Sequence, residues 1–480
     1  MIRLLSLLTE AAKEQAALEF LRQQISASPY QGKVYLAGGY VRDELMGIDP
    51  KDIDLVVDIE NGGIEFANWI TRKLGIHTSG NPVIFPKFGT AKFNLRGITH
   101  NGVDISDVDI EAVMPRTEKY TFGSRKPDVE QGNLAQDVER RDFTVNSLLK
   151  DLTTGEIKDL TGMGRKDIEA GIIRTPLNPD IIFKDDPLRM LRAIRFTVKY
   201  NWKLPFFMIK GIARNAPMLA HISSERIRDE LDKMLVTAKP DTAVRLIQIT
   251  GLSKYIMPEL DLLIGLQQNK YHIWDANKHT LEVLKNVPAD LPTRLAALFH
   301  DIGKAETQSI VNNEIHFYEH EDVGKDIAQD IMKRLRYPNN VIDAVTTAVA
   351  AHMRLKAAGK EGEVISDKAL RKLQNDLGDH LDMTLDLMAA DNIAHAPEFK
   401  LEKQIPAIRE RLKHLNAASV SSKIPIPLNG FDVMKLTGVR PGPIVKILLD
   451  VVKDAWFGNP DITKQEALDL VLKTFNDMAK

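Results

Sequence analysis

Val34-Tyr35-Leu36-Ala37-Gly38-Gly39-Tyr40-Val41-Arg42-Asp43, followed by Asp52-Ile53-Asp54-Leu55-Val56-Val57, couples a glycine bend to two carboxylates spaced to share one face of a strand. The apolar run Val34 to Ala37 enters a Gly-Gly turn. Without Cβ atoms, backbone N–H groups there can close on phosphate oxygens, while the next helix offers its N-terminus and Arg42. In Asp52-Ile53-Asp54 the side chains alternate, so both acids face one way and Ile53 the other, and Leu55 to Val57 continue into a buried strand. Two acids on one face suit a pair of Mg²⁺ ions about 3.5–4 Å apart, which lower the pKa of an attacking hydroxyl and neutralise a departing pyrophosphate. Gly-Gly alone is often only a turn, and Asp-x-Asp alone is common. In strand-turn-helix-strand order, the two together point to metal-dependent nucleotidyl transfer.

Outward from this block, the chain of 480 residues is too long for one ordinary core and fits several domains. Lys+Arg 64 against Asp+Glu 66 gives a formal net charge of -2, so any nucleic-acid surface must be a local patch. Cys 0 excludes disulfides and thiolate metal sites, leaves His, Asp and Glu as metal ligands, and fits a reducing cytoplasm. Met1 to Leu8 is apolar but lacks a small-residue cleavage pattern, and no window approaches the ~20 apolar residues of a membrane span. We therefore expect a cytoplasmic protein that does not enter a membrane.

Leu4, Leu5, Leu8, Ala11, Ala12, Leu18, Leu21 and Ile25 recur at near-helical spacing, predicting an N-terminal helix within residues 1–30. Residues 31–155 alternate apolar runs with helical stretches, with strands expected at Val34 to Ala37, Ile53 to Val57, Ala91 to Leu95 and Val103 to Ile105. Phe88-Gly89-Thr90 reads as a turn into the third of these, and Asn101-Gly102 as the turn pairing it with the fourth. Beyond Asp159-Leu160-Thr161-Gly162 long amphipathic helices take over, with breaks near 265 and 400 and an extended Ile424-Pro425-Ile426-Pro427 introducing a last module, 401–480. The expected class is α+β: a small mixed α/β head on a mostly helical body. Asp104 is a possible third carboxylate, left outside the firm set because Asp107, Asp109 and Glu111 crowd the same stretch. Tyr120 to Gln131, punctuated by Gly and Pro, reads as a mobile loop beside the site.

Further on, Arg141, Asp142 and Asn146 read as the start of a helix, with the last two on one face, suited to a triphosphate and a ribose hydroxyl. Asp186, Arg189, Arg192 and Arg195 recur every three residues and read as a stripe on one helix. Asp accepts from an exocyclic amino group and Arg donates to a ring nitrogen or carbonyl, so Asp186 with Arg189 could read C or A.

Taken in order, Gly38-Gly39-x-x-Arg42-Asp43 with Asp52-x-Asp54, Arg140-Arg141-Asp142-Phe143-Thr144-Val145-Asn146, Asp185-Asp186-Pro187-Leu188-Arg189 and Ser224-Glu225-Arg226-Ile227 resemble class II tRNA nucleotidyltransferases and bacterial poly(A) polymerases. The resemblance implies a nucleotidyltransferase head at 31–155 with Asp52 and Asp54 as catalytic Mg²⁺ ligands. Gly38, Gly39, Arg42, Arg141, Asp142, Asn146, Asp186, Arg189, Arg192 and Arg195 would bind nucleotide. It further implies a base-reading, RNA-binding neck at 156–265, an RNA-docking module at 401–480, and tRNA, ATP and CTP as partners. The loop at 120–131 resembles the family's flexible loop, implied to help switch nucleotide choice. Two departures stand out: the family commonly has Glu where Asp185 stands, and often an arginine near the acid-rich Ser106 to Glu111.

Downstream, His279, His300-Asp301 in Leu298-Phe299-His300-Asp301-Ile302-Gly303-Lys304, then His320, His352 and Asp391 have the order of an HD-domain phosphohydrolase, placed at 266–400 and all-α. Imidazole and carboxylate ligands suit Mg²⁺ or a divalent transition metal, with Asp301 placed to bridge two ions. The implied substrates are 2′,3′-cyclic phosphates, phosphomonoesters or nucleotides. His272, His316 and His395 read as ordinary core or surface histidines. The expected activity is CCA addition to tRNA 3′ ends with a second, phosphohydrolase activity. The alternatives are poly(A) polymerase, partial CC- or A-addition, or a tRNA-binding phosphohydrolase with an inactive head. Against poly(A) addition, residues 440–480 are charge-balanced rather than basic.

Overall fold

A computed structural model describes residues 2–119, 128–355, 365–418 and 427–478. The core of the loop read at 120–131 and the start of the extended proline segment at 424 lie outside them. The chain divides into two compact units, Met1–Ile256 and Met257–Lys480.

In the first unit a seven-stranded sheet runs in the order Ile157–Lys158, Leu149–Asp151, Val34–Ala37, Ile53–Val57, Asp109–Val113, Thr90–Asn94, Val83–Phe85. Ile53–Val57 pairs antiparallel with Val34–Ala37 and parallel with Asp109–Val113. Alternation assigns the two faces. Val34 and Leu36, Ile53, Leu55 and Val57, Ala91 and Phe93, and Ile110 and Ala112 join one core with Leu21, Ile25, Phe66 and Ile70 of the helices Ile2–Ile25 and Gly62–Lys73. Gly62 and Gly63 permit that packing, since a Cβ would fall 2.1 Å from the Val57 carbonyl oxygen and 2.3 Å from that of Ala112. On the other face Tyr35, Ala37, Val56 and Leu149 pack with Val138 of Leu134–Glu139, which covers only part of the sheet and leaves Asp54 and Glu111 facing outward.

One sequence expectation, the pairing across Asn101-Gly102, is corrected here. Thr90–Asn94 pairs with Asp109–Val113 and Val83–Phe85, whereas Val103–Asp104 forms a separate two-residue hairpin with Thr99–His100. The Asn-Gly turn is real, but it closes that short hairpin. Asp109 to Glu111 of the acid-rich stretch lie in one of the central strands of the sheet.

Beyond the sheet, Leu188–Tyr200 packs against Ser224–Leu235 and Pro240–Ile249, and Pro179–Asp185 against Phe206–Asn215. In the second unit Ala276–Asn286, Leu291–Phe299, His320–Arg334, Asn339–Ala351 and Leu381–Ile393 form a helical bundle, with one hairpin, Gln308–Val311 with Glu314–Phe317, inserted in it. A last trio, Gly430–Thr437, Pro443–Gly458 and Lys464–Met478, closes its own core around Val433, Leu448, Val452 and Val471. Among the described residues no helix is long and apolar enough to cross a membrane.

Candidate active site

Val34–Ala37 ends at Gly38, whose φ of +66° and ψ of -130° suit a residue without Cβ, and the seven-residue helix Gly39–Leu45 begins at the next position. A Cβ on Gly38 would sit 3.4 Å from Arg141 Nη1 and 3.9 Å from Asp54 Oδ2, so the bend leaves room between an acid and an arginine. These residues line a cleft of about 530 Å³, a size suited to a nucleotide. Asp54 and Glu111 lie opposite each other in the parallel register of their strands and both line the cleft. Asp52, just before its strand, is exposed and near enough to act on Asp54. Asp54 looks into the open cleft but is crowded by protein on its other sides. That withdrawal from solvent, and then the charge of Glu111, push its carboxyl up to about 6 despite Arg141. A hard divalent cation held by Asp52, Asp54 and Glu111 would relieve the repulsion, and oxygen donors fit Mg²⁺.

Arginines form the facing wall. Arg42 is buried, with Nη1 donating to Asn146 Oδ1 at 2.6 Å and Nε to Asp43 Oδ1 at 2.8 Å. Asn146 Nδ2 donates to Asp142 Oδ1 at 2.9 Å, and Asp142 Oδ2 accepts from Arg192 Nη2 at 2.6 Å and Nε at 3.0 Å. Asp137, fully buried, accepts from Arg140 Nη2 at 2.6 Å and Arg141 Nη2 at 2.9 Å. Burial alone would raise the Asp137 carboxyl, yet Arg141 and Arg140 hold it below its usual range. Arg189 and Arg226 also line the cleft, where Arg226 Nη2 donates to Asp186 Oδ2 at 2.9 Å.

Several expected roles change in detail. Arg141, Asp142 and Asn146 do not begin a helix. Arg141 and Asp142 precede a single 3-10 turn, Thr144–Asn146, which Asn146 ends before a strand. Asp142 spends its oxygens on Asn146, Phe143 N–H and Arg192, so it orients the wall. Asp186 is not on the arginine helix: Pro187 precedes that helix, and Asp186 adopts extended φ -141°, ψ 101°. Arg189, Arg192 and Arg195 do share the helix. Arg195, however, turns to the buried Glu230, donating to its Oε2 at 2.6 Å, and does not line the cleft. Asp104 accepts from Ser106 on its detached hairpin and does not line the cleft.

The residues missed in the sequence had readable signals. Asp109-x-Glu111 repeats the alternation of Asp52-x-Asp54, and Asp137 stands three and four residues before Arg140 and Arg141. Arg226 lies within a segment already quoted.

In the second unit the six HD residues converge. His279, His300 and Asp391 form one buried triad and Asp301, His320 and His352 another, their ligand atoms within 4.8 Å of one another in each. Asp301 links them: Oδ2 lies 3.2 Å from His300 Nε2 and 3.5 Å from His279 Nε2, while Oδ1 lies 3.4 Å from His320 Nε2 and 3.8 Å from His352 Nε2. His300, His320 and His352 each place Nδ1 against a carbonyl oxygen, of Ala297, Phe317 and Val349 at 2.7–2.8 Å, which places a proton on Nδ1 and turns Nε2 inward. Burial would lower the His300 imidazole, but the charge of Asp301, 3.2 Å from Nε2, outweighs burial and raises it. Burial, then His320 and His300, push the His352 imidazole well below its ordinary value, into the neutral form a ligand needs. Burial opposes ionisation of Asp301, but His300 and Lys304 outweigh it and hold the carboxyl well below the usual range. Lys304 Nζ, 2.7 Å from Asp301 Oδ2, was not singled out in the sequence. His272 and His395 were read as ordinary histidines, yet their rings pack against His279 with centroids 4.5 and 6.0 Å away. The donor set suits one or two divalent ions of the Mg²⁺ to transition-metal range.

Residues 34–174 match the Poly A polymerase head domain, 208–263 the probable RNA and SrmB-binding site of polymerase A, and 277–392 the HD domain. A CC-adding tRNA nucleotidyltransferase of Thermus thermophilus is 31% identical over 358 residues, covering 71% of this chain and 78% of that protein. A Schizosaccharomyces pombe tRNA nucleotidyltransferase, cca1, is 26% identical over 478 residues, 92% of this chain and 91% of that one. Among solved structures, the Bacillus stearothermophilus CCA-adding enzyme in complex with CTP shares the fold, with TM-score 0.65 and 23% identity over 97% of this chain and 98% of that chain. With the glycine bend, the paired acids and the arginine wall in one cleft and an HD centre downstream, the chain belongs to the class II tRNA nucleotidyltransferase and poly(A) polymerase family and carries an HD domain.

Proposed function

We propose that the chain adds C, C and A to the 3′ end of tRNA, taking CTP and ATP and releasing pyrophosphate at the head cleft. The observation that carries this is the facing arrangement of Asp54 and Glu111 on one wall and Arg42, Arg141, Arg189 and Arg192 on the other, with Gly38 between. Two Mg²⁺ ions bound by Asp52, Asp54 and Glu111 would lower the pKa of the RNA hydroxyl and neutralise the leaving pyrophosphate. The arginines would neutralise the triphosphate, and Asp186 with Arg189 would read the base edge. We assign RNA contact to the neck at 156–265 and to the module at 401–480, and place the protein in the cytoplasm in keeping with its lack of cysteine. Incubating tRNA that lacks its 3′ end with CTP and ATP, separately and together, and sequencing the products tests the reading. CCA ends only with both nucleotides support it. Ends that stop at CC favour the second reading, CC-addition, which the likeness to the Thermus thermophilus protein motivates. Long A tails refute both.

For the HD centre we propose hydrolysis of phosphates that block RNA 3′ ends. The six buried ligands would hold the metal, which supplies Lewis acidity and charge to ester hydrolysis. Lys304 would stabilise negative charge beside Asp301. Trimming a 3′-phosphate or cyclic phosphate would free the hydroxyl that nucleotide addition requires. Loss of that trimming when His300 and Asp301 are replaced supports the assignment, and unchanged trimming ends it.

A further inference from the structure

We infer that Phe196 is a positioning residue for nucleotide binding: its ring is the plate that steadies the cleft arginines Arg192 and Arg42, with Arg195 packed behind them. The inference rests on the head cleft being the nucleotide site. Arg195 Cζ lies 4.5 Å, Arg42 Cζ 5.1 Å and Arg192 Cζ 5.6 Å from the ring centroid, so three guanidinium groups surround one benzene ring. The ring is only 4% exposed yet borders the cleft. It is itself fixed, by Tyr200 at 5.7 Å in a near-parallel stack and by the Phe143 ring at 5.6 Å edge-on. Tyr200 also lies 5.0 Å from Arg42 Cζ.

The physical need is specific. Carboxylates and amides already anchor these arginines, each at the cost of N–H donors: Arg192 gives Nε and Nη2 to Asp142, Arg195 gives Nε to Glu230, and Arg42 gives Nε and Nη1 to Asp43 and Asn146. Both Arg192 bonds converge on the single oxygen Asp142 Oδ2 and Arg195 makes only one, so these two guanidinium planes can still roll about their acceptors, whereas Arg42 is held at both ends by Asp43 and Asn146. An aromatic face restrains the roll through π attraction while using no donor, since all five N–H bonds lie in the guanidinium plane. The electron-rich faces also offset the mutual repulsion of cations gathered at one point. An aliphatic residue of similar size would fill the space and do neither.

The test uses the full chain with CTP or ATP in Ca²⁺, which we expect to support binding without turnover, and steady-state incorporation in Mg²⁺ with tRNA lacking its 3′ end. Phe196→Leu should weaken binding of both nucleotides about tenfold and raise both KM values alike, with kcat within about threefold of the parent. Phe196→Tyr, which keeps the π face, should bind within about twofold of the parent. Because Phe196→Leu can fail for want of packing alone, a series replacing Phe196 by mono-, di- and trifluorophenylalanine removes π charge with little change of shape, and binding should weaken stepwise along it. A flat fluorination series, or a folded Phe196→Leu protein that binds as the parent does, overturns the inference. If the parent binds CTP and ATP but incorporates neither, the proposed activity fails while the role of Phe196 is still measured by binding.

Discussion

Asp142→Asn isolates the bond that holds Arg192 over the cleft. The amide oxygen can replace Oδ1 and keep the bonds from Asn146 Nδ2 and Phe143 N–H, but the amide nitrogen would then point its own hydrogens at the Arg192 donors. Two charge-assisted hydrogen bonds, at 2.6 and 3.0 Å, are lost. Breaking a fully buried ion pair costs roughly 3–5 kcal/mol. Here the Arg192 side chain is 33% exposed, so water recovers part of the loss and about 2–3 kcal/mol is expected. For a unit the size of Met1–Ile256 that corresponds to a fall in Tm of roughly 5–10 °C. The pH dependence follows from the Asp142 carboxyl: burial would raise it, but Arg192 and Asn146 outweigh burial and hold it below its ordinary 3.8. A depressed acid contributes stability that is present above its unfolded value and is lost as pH falls through its lower folded value. The gap between parent and variant should therefore stay constant from about pH 8 to pH 5 and close only below about pH 3.8. Thermal unfolding across that range, with CTP titration at pH 7, gives both readouts. A variant that melts within a degree of the parent and binds CTP equally well would refute the view that Asp142 orients the wall.

Replacing Asp52 and Asp54 together by Ala should lower nucleotide incorporation at least about 10³-fold with the circular dichroism spectrum unchanged, and incorporation at the parent rate would remove the basis of the transfer site. Because the Asp54 carboxyl is raised to about 6, its proton competes with the cation: at limiting Mg²⁺, incorporation should fall as pH drops below 6 and recover at high Mg²⁺. A Mg²⁺ requirement independent of pH between 5 and 7 would contradict that. His300→Ala with Asp301→Ala should abolish bound metal measured by elemental analysis after Mn²⁺ or Ni²⁺ loading, and leave CTP incorporation within about twofold of the parent. Gly38→Ala should cost roughly 1–3 kcal/mol of backbone strain at φ +66° and raise KM for both nucleotides, since the added methyl meets Arg141; an unchanged KM would place the phosphates elsewhere.

Residue type and local spacing made the glycine bend and the strands Val34–Ala37 and Ile53–Val57 legible in the chain, because each depends on neighbours a few residues away, whereas the six HD residues, tens of positions apart, were legible only through their order, as a resemblance. What escaped depends on distant pairing. Glu111 comes beside Asp54 only through a parallel register between strands separated by a helix and two hairpins, and no local pattern specifies that. Arg195 looked like the end of a reading stripe, but Glu230, on another helix, offers it a buried acceptor and draws it away from the cleft. Asp186 has the spacing of the arginines, yet Pro187 forces the residue before it out of helical backbone. For the same reason the short hairpin at Thr99–Asp104 was assigned to the wrong partner: an Asn-Gly turn says that a hairpin closes, not which strand the hairpin joins.

In the HD centre, the carbonyls that orient His300, His320 and His352 belong in each case to the residue three positions earlier. These three imidazoles thus take their bearing from their own turns of chain, unlike His279, which meets the distant Asp391 at 3.0 Å, and the intervening stretches need only bring the turns together. Such a centre tolerates extensive drift in the connecting sequence, and it is lost at once by any change that unwinds one of those three turns.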